Sequence, residues 1–270
     1  MSGTERDRQG KRNKQRALAG NHQRCWLWGR NAVLETLRAG RWMPLEIVAS
    51  EHLSADVQRE VAALARSAKM MLQVAAPERL TELCHSREHQ GLIAKMPPFP
   101  YHDIDELLGG LTTTPEAPLL LLLDSLQDPF NFGAVCRAAC VFGATAVVVA
   151  KSAQVEVTSH VARSSAGAIN QLAIVQVDDL EPAITELRTN GVSVWAATLS
   201  ATTAIGDVDL TQPTALIIGN EGQGVQPRLV AACCGAVTIP QATAFNSLNA
   251  AVAAGVLLYE VHRQRQTAVS

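Results

Sequence analysis

The sequence predicts an α/β protein whose larger, C-terminal part is built on a parallel sheet. Short runs of apolar residues recur from about residue 119 to residue 239, with helical patterns between several of them. Strands covered on both faces read as unbroken apolar runs, and parallel neighbours need a crossover, usually a helix. Prolines and glycines gather over 97–117 and separate a smaller alternating unit from this one. At 270 residues the chain is comfortable for two domains, and 47% apolar residues with only 18% charged exclude a disordered chain.

The elements follow in chain order. Residues 1–25 read as a disordered basic arm. Residues 1–30 carry eight Lys/Arg against Glu5 and Asp7, a balance of +6, so the remainder sums to -8 within a total of -2. A basic arm on an acidic body suits a polyanion partner, and a solvated tail explains the same charges. A small alternating α/β domain is assigned to 26–97, which the family resemblance given below makes an RNA substrate-binding domain. Residues 28–40 form a helix with Val33, Leu34 and Leu37 on one face and Gly40 closing it. Strands are expected at 46–50, 72–74 and 91–95. A helix is expected at 54–70, with Val57, Val61, Leu64 and Ala65 inward, and a helical turn at 78–84. Pro97, Pro98, Pro100, the Gly109–Gly110 pair and Pro115 mark a linker over 98–117.

The second domain spans 118–268. Its strands are expected at 119–123, 146–149, 172–175, 193–197, 215–218 and 236–239, and its helices at 132–141, 159–168, 180–190 and 247–262. Ligands in such sheets sit beyond the carboxyl ends of the strands. That directs attention to 124–133, Thr198, 219–224 and 240–249.

The longest of these apolar runs, Leu119–Leu123, is far short of the roughly 20 residues a membrane span needs. No apolar stretch follows the N-terminal charges, so no secretory signal is read there and a cytoplasmic protein is expected. The six cysteines include no C-x-x-C and are expected to be free thiols serving as small core residues.

Four constellations bear on chemistry. In the first, Asn131 is placed to cap the helix that follows, and Arg137 lies inside that nearly all-apolar helix. A guanidinium there needs an anionic partner, and phosphate fits its donor fork. The second, Ile218-Gly-Asn-Glu-Gly-Gln-Gly224, is neither a dinucleotide fingerprint nor a P-loop. Gly219, Gly222 and Gly224 permit positive φ and close backbone approach to a ligand. Glu221 among them would repel phosphate and suits a ligand bearing hydroxyl or amino groups, or a cationic one; a plain turn explains the string equally well. The third runs from Ile239 to Gly255. Ile239 and Leu248 offer apolar walls, and Ser247 and Asn249 offer hydrogen bonds, with Ser247 filling the helix cap. The fourth, His85-Ser-Arg-Glu-His89, matches an inverted zinc-protease pattern, but Gln90-Gly91 would end any helix at once. No metal is expected, and the two histidines are placed on a polar loop.

Taken together, the first three constellations resemble the three motifs of the SpoU-type members of the SPOUT superfamily, the RNA 2′-O-ribose methyltransferases. The motifs stand in order: Asn131, Gly133 and Arg137; then Ile218-Gly-Asn-Glu-Gly222; then Ile239-Pro240 with Ser247-Leu-Asn249 and Gly255. Gly29-Arg-Asn-Ala-Val-Leu-Glu-Thr-Leu37 and His89-Gln-Gly-Leu-Ile-Ala94 resemble the substrate-binding domain of the subgroup that methylates a guanosine of 23S rRNA. Gln241-Ala-Thr243, after Ile-Pro, departs from the family's usual residues. The resemblance implies an L30e-like first domain and a C-terminal trefoil knot, an exception to the rule against threading. It implies S-adenosylmethionine as cofactor, touched by Gly219, Ile239 and Leu248 with Thr198 nearby. It also implies a homodimer that completes each site at its interface, with 247–262 as a dimer element, and an RNA substrate, rRNA before tRNA. Asn131, Arg137, Glu221, Ser247 and Asn249 would be the catalytic set. Arg137 would position phosphate and ribose, and Asn131 and Asn249 would orient the ribose or Arg137. Glu221 would hold Arg137 or a ribose hydroxyl, and Ser247 would bond near the transfer centre. A tRNA ribose methyltransferase and a non-catalytic RNA-binding or ribosome assembly factor are the alternatives.

Overall fold

The structure, a computed structural model, describes residues 25–111, 117–243 and 247–269. The basic arm at 1–24 lies outside them. The described residues fall into two compact units divided between Pro100 and Tyr101.

In the N-terminal unit, β1 (Trp26–Trp28), β4 (Leu92–Lys95), β2 (Glu46–Ser50) and β3 (Leu72–Ala75) form a four-stranded sheet in that order. β4 runs antiparallel to both β1 and β2, and β3 is parallel to β2. The parallel pair is joined by α2 (Ala55–Ser67), and α1 (Arg30–Ala39) follows β1. Strand β1 escapes sequence reading because three residues are too few to show a period. Its Trp26 and Trp28 pack with Val48 and Ile93 and with Leu80 and Cys84 of α3 (Pro77–Cys84).

The histidine pair corrects one expectation. His85 ends α3 in a left-handed conformation, at φ 53°. His89 is buried rather than on an open loop. Its Nδ1 accepts from Gly91 N at 3.0 Å, so the Nε2 proton faces Thr81 Oγ1 at 3.1 Å. Burial holds its pKa below the usual imidazole value. This is a neutral, structural histidine, and no group of three metal-ligating side chains occurs among the described residues.

The C-terminal unit holds six parallel strands in the order β10 (Gly235–Val237), β8 (Ser193–Ala197), β9 (Thr214–Ile218), β5 (Leu119–Leu123), β6 (Ala146–Ala150), β7 (Ala173–Val177). Strand residues alternate faces. On one face Leu120, Leu122, Val148 and Ile217 pack with α7 (Leu180–Thr189), α8 (Pro227–Ala232) and α4 (Ile104–Leu111). The buried alternates Leu121, Leu123, Val147 and Leu216 turn to the other face. The remaining long helices, α5 (Pro129–Val141) and α9 (Ala250–Val269), bury Phe132, Val135, Leu257 and Leu258.

The stretch read as linker is partly a structural element. Leu107 and Leu111 of α4 are buried in the core of the C-terminal unit. His102 also exchanges backbone hydrogen bonds with Ile174 and Gln176 beside β7. The apolar spacing of 104–111 was obscured by the Gly109–Gly110 pair, which the buried leucines outweigh. Residues 112–116 of that stretch lie outside the described residues.

Two helix boundaries also shift. The helix expected at 159–168 ends at Ser164 as α6 (Ser159–Ser164), because Ala166 and Gly167 take positive φ, and a short 3-10 turn follows at Ala168–Asn170. Helix α9 runs to Val269, seven residues beyond expectation. All six cysteines are free, but only Cys84, Cys136 and Cys233 are buried; Cys25 and Cys140 are half-buried and Cys234 is exposed. Burial raises the Cys233 thiol to about 12 and that of Cys136 higher still, which keeps both uncharged. No helix among the described residues is long and apolar enough to cross a membrane.

Candidate active site

The chain order of the strands reverses between β5 and β9. The first three strands run outward from β5 on one side, and β9, β8 and β10 lie on the other. Such a switch opens a crevice at the carboxyl ends, because the loops leaving the two neighbouring strands diverge. Here the loops after β5, β8, β9 and β10 meet.

A cleft of about 740 Å³ lies among them, the size of a small-molecule site. Thr198, Gly219, Glu221, Ile239, Ser247 and Leu248 all line it. Gly219 has a structural reason to be glycine. A Cβ there would stand 2.0 Å from Gly224 C and 2.2 Å from Val225 N, so the loop folds back tightly only on a bare α-carbon. Of the three glycines expected to use positive φ, Gly224 does so, at 69°. Thr198 N donates to Val237 O at 2.9 Å, while its Oγ1 is buried without a hydrogen-bond partner among the described residues. A buried hydroxyl normally has a partner, and this one keeps an unused donor and acceptor on a residue that lines the cleft.

The loop that carries Glu221 is fastened from below. Asp124, buried at the end of β5, accepts from Gln226 N at 2.8 Å, Gln226 Nε2 at 2.6 Å and Ser125 Oγ at 2.9 Å. Asn220 donates to Ser125 O at 3.0 Å and accepts from Gly222 N at 2.8 Å. Sequence reasoning did not single out Asp124, Asn220 or Gln226. A lone Asp after an apolar strand is a signal for such an anchor only once its loop partners are known.

At the rim, the three motifs are joined by one run of hydrogen bonds. Asn249 Nδ2 donates to Asn131 Oδ1 at 3.0 Å, and Asn131 Nδ2 donates to Glu221 Oε1 at 2.6 Å. Asn249 Oδ1 accepts from Ala251 N at 2.9 Å and Val252 N at 3.3 Å, so this residue also caps α9. Two expected caps are thereby corrected. Asp128, not Asn131, caps α5 by accepting from Phe130 N and Asn131 N, with Pro129 in the first turn. Asn249, not Ser247, caps α9, which starts at Ala250; Ser247 is exposed on the cleft wall.

Arg137 stands apart from this set. It is exposed, lines no part of the cleft, and its side chain makes neither ion pair nor hydrogen bond among the described residues, so it is neither embedded nor held by Glu221. The helix explains this. Six positions beyond Asn131, a side chain is turned through about 600° and so points some 120° away from it.

Within the third motif, residues 244–246 lie outside the described residues.

A family model described as the SpoU rRNA Methylase family matches residues 118–259, and one described as RNA 2′-O ribose methyltransferase substrate binding matches residues 26–102. The putative TrmH family tRNA/rRNA methyltransferase YacO of Bacillus subtilis is 33% identical over 245 residues, covering 91% of this chain and 98% of its own length. Among solved structures, the SpoU methyltransferase AviRb from Streptomyces viridochromogenes, in complex with the cofactor AdoMet, is 27% identical with a TM-score of 0.75 over 90% of each chain. The A. aeolicus TrmH/SpoU tRNA modifying enzyme is 27% identical with a TM-score of 0.52, and its match covers 62% of this chain and 86% of its own.

Proposed function

The chain belongs to the SpoU methylase family and is an S-adenosylmethionine-dependent tRNA/rRNA 2′-O-methyltransferase; from that premise we propose that its substrate is rRNA and its acceptor a guanosine ribose in 23S rRNA. The observation that carries the site assignment is the run Asn249–Asn131–Glu221 at the mouth of the cleft. The choice of rRNA rests on the whole substrate-binding unit at 26–102. A relative described as a tRNA modifying enzyme matches only 62% of this chain.

In this reading the cofactor is held by the cleft. Thr198 Oγ1 supplies a hydrogen bond, the backbone at Gly219 lines the cleft, and Ile239 and Leu248 supply apolar walls. When bound, S-adenosylmethionine supplies a methyl group on a positively charged sulfur. The residues of the chain must bring a ribose 2′-hydroxyl to it and release its proton. Glu221, already engaged by Asn131 through one oxygen, accepts a ribose hydroxyl with the other. Asn131, held in turn by Asn249, fixes that carboxylate, and Ser247 lines the same cleft, where it bonds near the transfer centre. Arg137 binds phosphate with its donor fork. It is a poor base, since neutralising a guanidinium at pH 7 costs roughly 7 kcal/mol from its reference pKa. The proton therefore leaves late, to solvent.

The separation of Arg137 from the cleft supports a homodimer in which each site is completed by a second copy. Val252, Val256 and Tyr259 form an exposed apolar stripe on α9, beside exposed Val141 on α5. Tyr259 meets Phe142 at the end of α5, ring centroids 6.1 Å apart. An exposed apolar stripe of this kind supports a contact between copies.

Mapping 2′-O-methyl positions in rRNA and tRNA from cells with and without the protein tests the substrate. Loss of one mark from a 23S rRNA guanosine is expected, and loss confined to tRNA would refute the assignment. Arg137→Ala is expected to bind S-adenosylmethionine with unchanged affinity by calorimetry while transferring no methyl group. Full transfer by that variant would sink the role given to Arg137.

A further inference from the structure

We propose that Phe130 and His160 form a stacking platform for a nucleobase of the RNA substrate, next to the ribose site; this rests on the reading of the chain as an RNA ribose methyltransferase. Phe130 is the second residue of α5 and is 60% exposed. A phenyl ring left in water costs burial free energy that a core position would recover. Its ring neighbour is His160, an exposed residue of α6, with centroids 5.7 Å apart and planes inclined by 59°. That contact props the ring without covering it.

The position of the pair points to its ligand. Phe130 immediately precedes Asn131, whose side chain is committed to Glu221 and Asn249. Adjacent α-carbons are about 3.8 Å apart and their side chains diverge by about 100° around a helix. Phe130 lines no part of the cleft, so the group it can meet is a base directed outward from a ribose at the Glu221–Asn131 rim. Proteins that select RNA bases splay them from the stack onto Phe, Tyr, Trp or His faces. Placed beside the acceptor ribose, such a surface helps to choose which nucleotide enters.

The test uses the full chain and RNA extracted from cells that lack it, with methyl transfer from labelled S-adenosylmethionine as the readout. Phe130→Ala and Phe130→Leu are expected to raise KM for RNA by roughly 5- to 150-fold, the range that loss of one base–aromatic stack gives. Phe130→Tyr brings KM back toward the starting value. The Kd for cofactor, measured by calorimetry, stays put in all three. A Leu variant as good as Phe would overturn the platform, since leucine keeps apolar bulk but has no π-face. A shift in oligomeric state by light scattering that accompanies the change in KM would also overturn it, making Phe130 a contact between copies. Wild-type protein that methylates no RNA fraction would overturn the enzyme reading and the platform with it.

Discussion

Asn249 does two things with one amide. Its oxygen caps α9 by accepting from Ala251 and Val252, and its nitrogen reaches Asn131. The two tasks can be separated. Asn249→Ser keeps a capping oxygen but is too short to hold Asn131; Asn249→Ala loses both. The alanine variant is expected to lose about 1 kcal/mol in urea unfolding and the serine variant only a few tenths. Both are expected to lose on the order of a hundredfold in methyl transfer, the scale of a misplaced reacting group. Normal transfer by Asn249→Ser would show that the bond to Asn131 is dispensable. The sequence placed Asn249 at the site and gave the cap to Ser247 instead. Either polar side chain can cap from a position near the first turn, and only the backbone path through 247–250 decides between them.

At the scale of the element, the β9–α8 loop shows why a glycine string is ambiguous in sequence and plain in structure. Gly219 is required by contact and Gly224 by its positive φ, and neither requirement involves a ligand directly. Function enters because the folded-back loop, pinned by Asp124 and Asn220, holds Glu221 at the rim and leaves the Gly219 backbone facing the cleft. Gly219→Ala forces the Gly224–Val225 peptide to move. It is expected to weaken S-adenosylmethionine binding by roughly tenfold to a hundredfold in calorimetry, with the circular dichroism of the sheet intact. Unchanged affinity would mean that the close approach serves only the fold. Helix α4 carries the same lesson about local signals. Gly109 and Gly110 argue against a helix at 104–111, yet burial of Leu107 and Leu111 against the sheet settles the matter, since packing of one face outweighs roughly 1 kcal/mol per glycine.

For the molecule as a whole, the proposed second copy is the testable feature. Val256→Asp places a charge in the α9 stripe without touching the cleft. It is expected to convert a dimer to monomers at micromolar concentration in sedimentation equilibrium and to abolish methyl transfer, because a lone copy leaves Arg137 away from the cleft. A wild-type monomer that is fully active would remove the dimer from the mechanism. By itself the sequence determined the α/β class, the parallel strands of the C-terminal unit and the three motifs. Continuous apolar runs, helical spacing and short polar strings are local, and they survive without coordinates. Only the tertiary structure decided which motif residues meet. Asn131 and Asn249 lie 118 positions apart and Asn131 and Glu221 lie 90 apart, yet each pair shares a hydrogen bond. Arg137, only six positions from Asn131, points elsewhere. Separation along the chain says little about a site assembled where strand order reverses; the crossing of β9 beside β5 and the rotation of a helix set the geometry there.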